Sequence, residues 1–441
     1  MWRPAALVVG CVALAVSGIA VAQGEFGPAA HRTRVAVAGP GPGEIQVWAW
    51  NIAAEALRDL APAFVAESGV DVAVVQGGHT MQSRLLLSLS AGVGAPDVAQ
   101  LENAEAPFYI QTLRMMDLTA VAAQYEAHYP ASVWRNCTYE NKVYAIPWDL
   151  GPCAVFYRRG LFERYGIDPA QIETWDDYIR AGTEILARSE GKTKMLFLSP
   201  GQLDIMFEIL LQQTGGQLFD NDGNVAVNSP EVLRVLELLR KMYRSGIGAD
   251  DGLWGHAFFA ALHSDAVATY PLAAWFSGIL RDHAPETSGN WGVFRLPAFE
   301  PGGLRVSNYG GSVLVIPDQC KNKQAAWAFV EYALCTPEVQ LQQYRDHDLF
   351  PALLTTHNDP FFDEPIPFFD GQRARQVFRQ DIELIPSLNR TKDWDEAVRY
   401  VRQVLSSWVA NGLGDPGQVA EELERRLTIR LGRTAVSSGV E

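Results

Sequence analysis

From Glu44 to Leu101 the chain alternates strand-like and helix-like segments, and this alternation limits the folds open to it more than any other feature. Glu44 to Trp50 reads as a strand, Ala53 to Glu67 as an amphipathic helix, Val70 to Gln76 as a strand, Met81 to Ala91 as a helix and Asp97 to Leu101 as a short buried strand. Strands separated by helices at this spacing predict a parallel sheet covered by helices. Ligands of such sheets bind beyond the carboxyl ends of the strands. That rule selects Trp50, Asn51, Gln76 to His79, and Gln100 to Asn103, including Glu102 and Asn103. A second α/β series starts at Thr174, which caps a predicted helix from Trp175 to Arg188. It continues with a strand Lys194 to Leu198, a helix Leu203 to Gln213, and a helix opened by Ser229-Pro230 that runs to Arg244.

Between the two series, Tyr144 to Phe162 holds two strand-like runs around Pro147, Trp148, Asp149, Gly151 and Pro152. The prolines fix φ and the glycine permits unusual backbone, so this stretch reads as a hinge, with Trp148 and Asp149 at the bend. Pro297 to Gly303 and Asp346 to Pro351 read as a second and third passage. Strands are expected at Ala266 to Tyr270, Trp291 to Leu296 and Val313 to Ile316, with a bend at Pro271 leading into a helix through Leu280. The predicted architecture is α/β and two-lobed, each lobe a mostly parallel sheet flanked by helices, with three crossovers. Residues 44–149 and 309–347 would form lobe 1, and residues 150–308 and 348–441 lobe 2.

Arg3 precedes an apolar run from Ala5 to Ala22 that closes on Ala20-Val21-Ala22, the pattern of a signal peptide over residues 1–22. An uncleaved anchor is the alternative. Residues 23–43, rich in Gly, Pro and Ala, read as a flexible leader. The net charge of -15 without a basic cluster argues against nucleic acid and anionic membrane surfaces as partners. Cys137 and Cys153 flank a strand-turn-strand segment, where a disulfide and two free thiols both remain open. Cys320 and Cys335 bracket a helix too long to bridge, so they read as buried thiols. Asp220, Asp222 and Asn224 read as a hairpin turn rather than a calcium loop. No zinc spacing, nucleophile elbow or phosphate loop is present in the sequence, so neither a metal nor a cofactor is expected.

The order of several blocks resembles the carbohydrate-binding branch of the extracellular solute-binding proteins of ABC importers, which includes maltose- and trehalose-binding proteins. The blocks are Ile45 to Trp50, Ala95 to Ala99, Val143 to Pro147 with Val155 to Arg159, Thr174 to Tyr178, Asp265 to Thr269 with Trp275, Gly310-Gly311, and Ala325 to Tyr332. Leu262 to Asp265 departs from the Gly-Lys turn usual in that family. The resemblance implies a monomer, periplasmic or on the outer face of the cytoplasmic membrane. It would close on a sugar and deliver it to a transporter permease.

Sugars present hydroxyls at the ring edge and C–H patches on each face, so their sites combine polar side chains with aromatic rings. The chain holds 12 Trp, 14 Tyr and 20 Phe, most of which a core of this size absorbs. Position singles out Trp50, Trp148, Trp275 and Tyr309, with Gly311 allowing close approach of a ligand to the backbone. Glu102 and Asp149 are the candidate carboxylates, Asn51, Gln76 and Asn103 the candidate amides, and Arg373 a further polar candidate. The competing readings are a binding protein for a glycerol phosphate, polyamine or peptide, and a secreted glycoside hydrolase.

Overall fold

The computed structural model describes residues 43–78 and 80–436. The signal segment 1–22, the leader up to residue 42, and His79 lie outside the described residues.

The first sheet has five strands, in the order Asp71–Gly77, Glu44–Trp50, Val98–Glu102, Ser312–Val315 and Ala145–Pro147. Its first three strands run parallel, while Ser312–Val315 is antiparallel to both neighbours. A second sheet joins Thr269–Ala273, Cys153–Arg158 and Trp291–Arg295, antiparallel throughout. The two-lobed α/β fold forms as predicted, but the expectation of mostly parallel sheets is corrected. The chain leaves the first lobe through Pro147 and re-enters it through Ser312 by an adjacent passage. The two strands therefore meet in opposite directions, with Val313 opposite Pro147. Among the described residues of the second lobe, parallel pairing between strands is confined to Leu196–Phe197 with Gly248–Ala249.

Local chemistry sets the element ends. Thr174 and Asp177 form a reciprocal capping box, the Thr174 hydroxyl accepting from the Asp177 N–H and the Asp177 carboxylate from the Thr174 N–H. The Ser229 hydroxyl accepts from the Val232 N–H at 3.3 Å, with Pro230 in the first turn. Pro271 departs from expectation, because it lies inside the Thr269–Ala273 strand instead of opening a bend. That strand is at the edge of its sheet, where a missing N–H costs no ladder bond. The Cys153–Arg158 strand alternates its faces. Ala154 and Phe156 join one core with Phe276 and Phe369, and Val155 and Tyr157 another with Phe162 and Trp175.

The second passage runs through Ser307 to Ser312 and not, as expected, through Pro297 to Gly303, which stays within the second lobe, where the Ala298 N–H donates to Glu173 O at 2.8 Å. The three crossovers lie side by side as a hydrogen-bonded strip with the first in the middle. On one side Trp148 N–H donates to Ser312 O at 2.8 Å, Tyr309 N–H to Gly151 O at 2.8 Å and Cys153 N–H to Ser307 O at 2.9 Å. On the other, Leu150 N–H donates to Phe350 O at 2.8 Å and Ala352 N–H to Trp148 O at 3.1 Å. A Cβ added at Gly151 would land on the Tyr309 carbonyl oxygen, so only glycine lets the strands approach this closely. Cys137 and Cys153 are both free and buried, one in a first-lobe core and the other in the second-lobe core. The open question of a bridge between them resolves to two thiols, because the turn separates their side chains into different cores.

His357 braces the third crossover by hydrogen bonding to the Pro351 carbonyl at 2.8 Å, which requires a proton on Nε2. Burial pushes its pKa from 6.5 down to about 4, so the fold holds the neutral ring. The group's contribution is complete above pH 6.5 and is lost as pH falls toward 4, in total about 3 kcal/mol. The stability difference between the natural protein and His357→Gln is expected to change by that order between pH 7 and 4 and to stay flat from pH 7 to 9. Urea unfolding at each pH reads it, and a difference independent of pH would remove this role.

Candidate ligand cleft

The cleft is built where the first sheet ends, where the second crossover passes, and where two helices of the second lobe begin. At the end of the first strand, Trp50 donates its backbone N–H to Gln100 Oε1 at 3.0 Å, and Gln100 Nε2 donates to Ser312 Oγ at 2.9 Å. One buried amide thus ties three neighbouring strands at their cleft ends. Asn51 follows at φ 51, a conformation asparagine tolerates better than most side chains, and turns the chain into the Asn51–Ser68 helix.

A cavity of about 710 Å³ is lined by Trp50, Asn51, Glu102 and Ser312 of the first lobe, by Tyr309, Gly310 and Gly311 of the second crossover, and by Glu208, Trp254, Trp275, Trp394, Asp395, Arg399 and Arg402 of the second lobe. Of the sequence candidates, the structure brings together Trp50, Asn51, Glu102, Trp275, Tyr309 and Gly311. The other candidates lie elsewhere. Trp148 is fully buried and donates its indole N–H to Gln343 Oε1 at 2.6 Å, so it anchors the hinge in the first-lobe core instead of facing the cleft. Asp149 lies half-buried in the crossover strip, with Oδ1 accepting the Ser312 N–H at 2.9 Å. Asn103 is buried and satisfied by Asn136 and the Val133 carbonyl. Gln76 is exposed and accepts from Arg58 at 2.7 Å, and Arg373 is exposed at the start of the Ala374–Arg379 helix.

The aromatic wall is a pair of tryptophans. Trp254 and Trp275 have ring centroids 5.7 Å apart, and Trp275 Nε1 donates to the Tyr309 carbonyl at 3.0 Å. Trp254 has φ 67, a costly region for a bulky side chain, and remains 38% exposed. It is held there by Phe258, 4.8 Å away, and by Trp275. A tryptophan kept in strained backbone with its face to the cleft is a functional signal. Sequence reasoning passed over it because backbone conformation is not visible in composition. Trp394 and Asp395 were missed too, although a Trp-Asp pair at the start of a predicted helix could have been noticed.

The cleft is acidic in its uncommitted charge. Arg402 makes a two-point pair with Asp204 at 2.9 and 2.7 Å, Arg399 pairs with Glu396 at 2.8 Å, and Arg390 pairs with Glu208. Glu102 and Asp395 are left without an ion pair among the described residues, and they line the same cavity from opposite lobes. Enclosure in the cleft, and then Asp395, Asp149 and Glu208, raise the pKa of Glu102. Burial followed by the charges of Glu102 and Asp395 pushes neighbouring Glu105 to about 8. Burial and Glu208 raise Asp395, partly opposed by Arg390. Among the described residues no group of three or more His, Cys, Asp or Glu side chains is placed to hold a metal ion.

Two α/β lobes joined by hydrogen-bonded crossovers, with a cleft lined from both, define a protein that captures a solute by closing on it. The chain matches the bacterial extracellular solute-binding protein family over residues 49–340 and belongs to that family. Membership places it outside the cytoplasm, and no helix among the described residues is long and apolar enough to cross a membrane. It is 26% identical over 316 residues to the arabinooligosaccharide-binding protein of Halalkalibacterium halodurans, covering 70% of each chain. To the lactose-binding protein of Rhizobium radiobacter it is 24% identical over 381 residues, covering 80% of this chain and 86% of that one. Among solved structures, the transporter-associated binding protein of B. animalis subsp. lactis Bl-04 in complex with beta-1,6-galactobiose superposes with a TM-score of 0.72. It shares 25% identity, over 90% of this chain and 100% of that one.

Proposed function

We propose that this protein captures an oligosaccharide in the cleft between its lobes and presents the closed form to the membrane permease of an ABC importer. The observation that carries the reading is the Trp254–Trp275 wall in one cavity with the carboxylates of Glu102 and Asp395. Tryptophan faces suit the C–H patches of sugar rings, and carboxylates accept from pairs of hydroxyls. The volume of about 710 Å³ falls within the ~300–1,000 Å³ of small-molecule sites. Relatives named for arabinooligosaccharide, lactose and galactooligosaccharide support the same chemistry.

The protein acts as a monomer that releases its sugar intact. Lobe 1 comprises residues 44–149 and 309–347 and lobe 2 residues 150–308 and 348–441, divisions supported by the strand membership of the two sheets. Calorimetric titration with arabino-, galacto- and malto-oligosaccharides of two to four units is expected to give one-to-one binding by at least one series, with the sugar recovered unchanged. Binding of peptides or polyamines alone, or hydrolysis of the sugar, would replace this reading.

A further inference from the structure

The lobes touch directly at a place that contributes nothing to the cavity wall. Arg135 of the first lobe donates through Nη2 to Asn221 Oδ1 at 2.7 Å and to Asn389 Oδ1 at 3.0 Å, both in the second lobe. Beside it, Gln111 Oε1 of the first lobe accepts the backbone N–H of Lys392 at 3.0 Å. We infer that Arg135 is a positioning residue, a clasp that holds the two lobes together in the closed form.

Both sides of the clasp are rigidly mounted. On the first lobe, Arg135 stands between buried Trp134 and buried Asn136, whose amide donates to Asn103 Oδ1 at 2.6 Å, next to cavity-lining Glu102. Asn103, a ligand candidate on sequence grounds, thus belongs to the footing of the clasp. On the second lobe, Asn221 sits in a turn closed by Asp220, which accepts from the N–H groups of Asp222 and Asn224 at 2.9 and 2.7 Å. Asn389 is held by the Asp220 carbonyl and by Gln217 Oε1, which accepts its N–H at 2.7 Å. The chain end reinforces the same turn. Val225 N–H donates to Thr434 O at 2.8 Å, and Arg433 pairs with Asp393, the residue before cavity-lining Trp394.

Because the acceptors are fixed within one lobe and the donor within the other, rotation of the lobes breaks both Arg135 bonds together. A charged donor shared by two neutral acceptors is stronger than a neutral pair, so this one side chain can bias the open–closed balance. The clasp acts on closure itself and holds whatever ligand occupies the cleft.

The test uses the full chain without ligand, reading hydrogen exchange and small-angle scattering of the natural protein, Arg135→Ala and Arg135→Lys. Arg135→Ala is expected to speed exchange of the Lys392 amide about 10-fold and to increase the radius of gyration. Amides of the Cys153–Arg158 strand and the thermal midpoint should stay unchanged, and Arg135→Lys should recover part of the protection. Unchanged Lys392 exchange and radius would overturn the clasp, and so would uniform loosening of both lobes. With no sugar in the experiment, its failure leaves the oligosaccharide reading standing, and failure of the sugar titrations leaves the clasp standing.

Discussion

Replacing Gly151 by alanine is expected to destabilise the protein by on the order of 3 kcal/mol and to abolish tight ligand binding with it. The added methyl would fall on the Tyr309 carbonyl and reach Ala273 Cβ at 3.2 Å, so the first and second crossovers must separate. That separation breaks the Tyr309 N–H to Gly151 O bond and displaces Tyr309 and Gly310, which line the cavity. Gly311→Ala should act in the same direction, because its Cβ would approach the Asp149 carbonyl oxygen at 2.6 Å in a residue with φ 94. Gly412→Ala provides the comparison, since φ 83 strains the backbone there while nothing lies within 4 Å of the new methyl. It should cost only about 1 kcal/mol and leave binding intact. Chemical unfolding and titration of the three variants read the outcome, and equal losses in all three would show that crossover spacing is irrelevant.

Trp254→Gly is expected to weaken oligosaccharide binding by about 2 kcal/mol, roughly 30-fold, while the unliganded protein stays within about 1 kcal/mol of its original stability. Relief of the left-handed backbone at φ 67 offsets the lost contact with Phe258. An aromatic residue kept in strained backbone for core packing would show the reverse, a loss of stability with affinity unchanged. Trp254→Tyr keeps a ring and should recover most of the affinity. Titration calorimetry beside unfolding of the same samples separates the two possibilities.

The two lobes and the first and third crossovers were legible because prolines, glycines and hydrophobic periodicity act locally: Pro147 and Pro152 bracket the first passage, and Thr174 and Ser229 mark helix starts by side-chain capping. The second crossover was expected at the Pro/Gly-rich Pro297 to Gly303 and lies instead at Ser307 to Ser312, because a Pro/Gly cluster marks a turn without saying whether it leaves the lobe. Strand direction was not legible, because the antiparallel entry of Ser312–Val315 depends on where a distant passage re-enters the lobe. The cleft was half legible. Trp50, Asn51 and Glu102 follow from the rule on strand ends, and Tyr309 and Gly311 from the glycine pair, whereas Trp275 was selected by a bend at Pro271 that proves to be strand. Trp148 misled because a tryptophan in a hinge serves equally well as its buried anchor, and only the placement of Gln343, far along the chain, decides which. Glu208, Trp394 and Arg402 come from helices of the second lobe whose cleft-facing side is set by tertiary packing. Trp254 owes its place to a backbone conformation that residue type disfavours.

The central claim, capture of an oligosaccharide between the lobes, is tested most directly by thermal unfolding of the protein against a panel of arabino-, galacto- and malto-oligosaccharides, with Trp254→Gly run in parallel. A ligand that binds only the folded form raises the unfolding midpoint, with a stabilisation that grows as the logarithm of its free concentration over Kd. At least one sugar should raise the midpoint of the natural protein and do so far less in the variant. No shift with any sugar, or the same shift in both proteins, would contradict the claim.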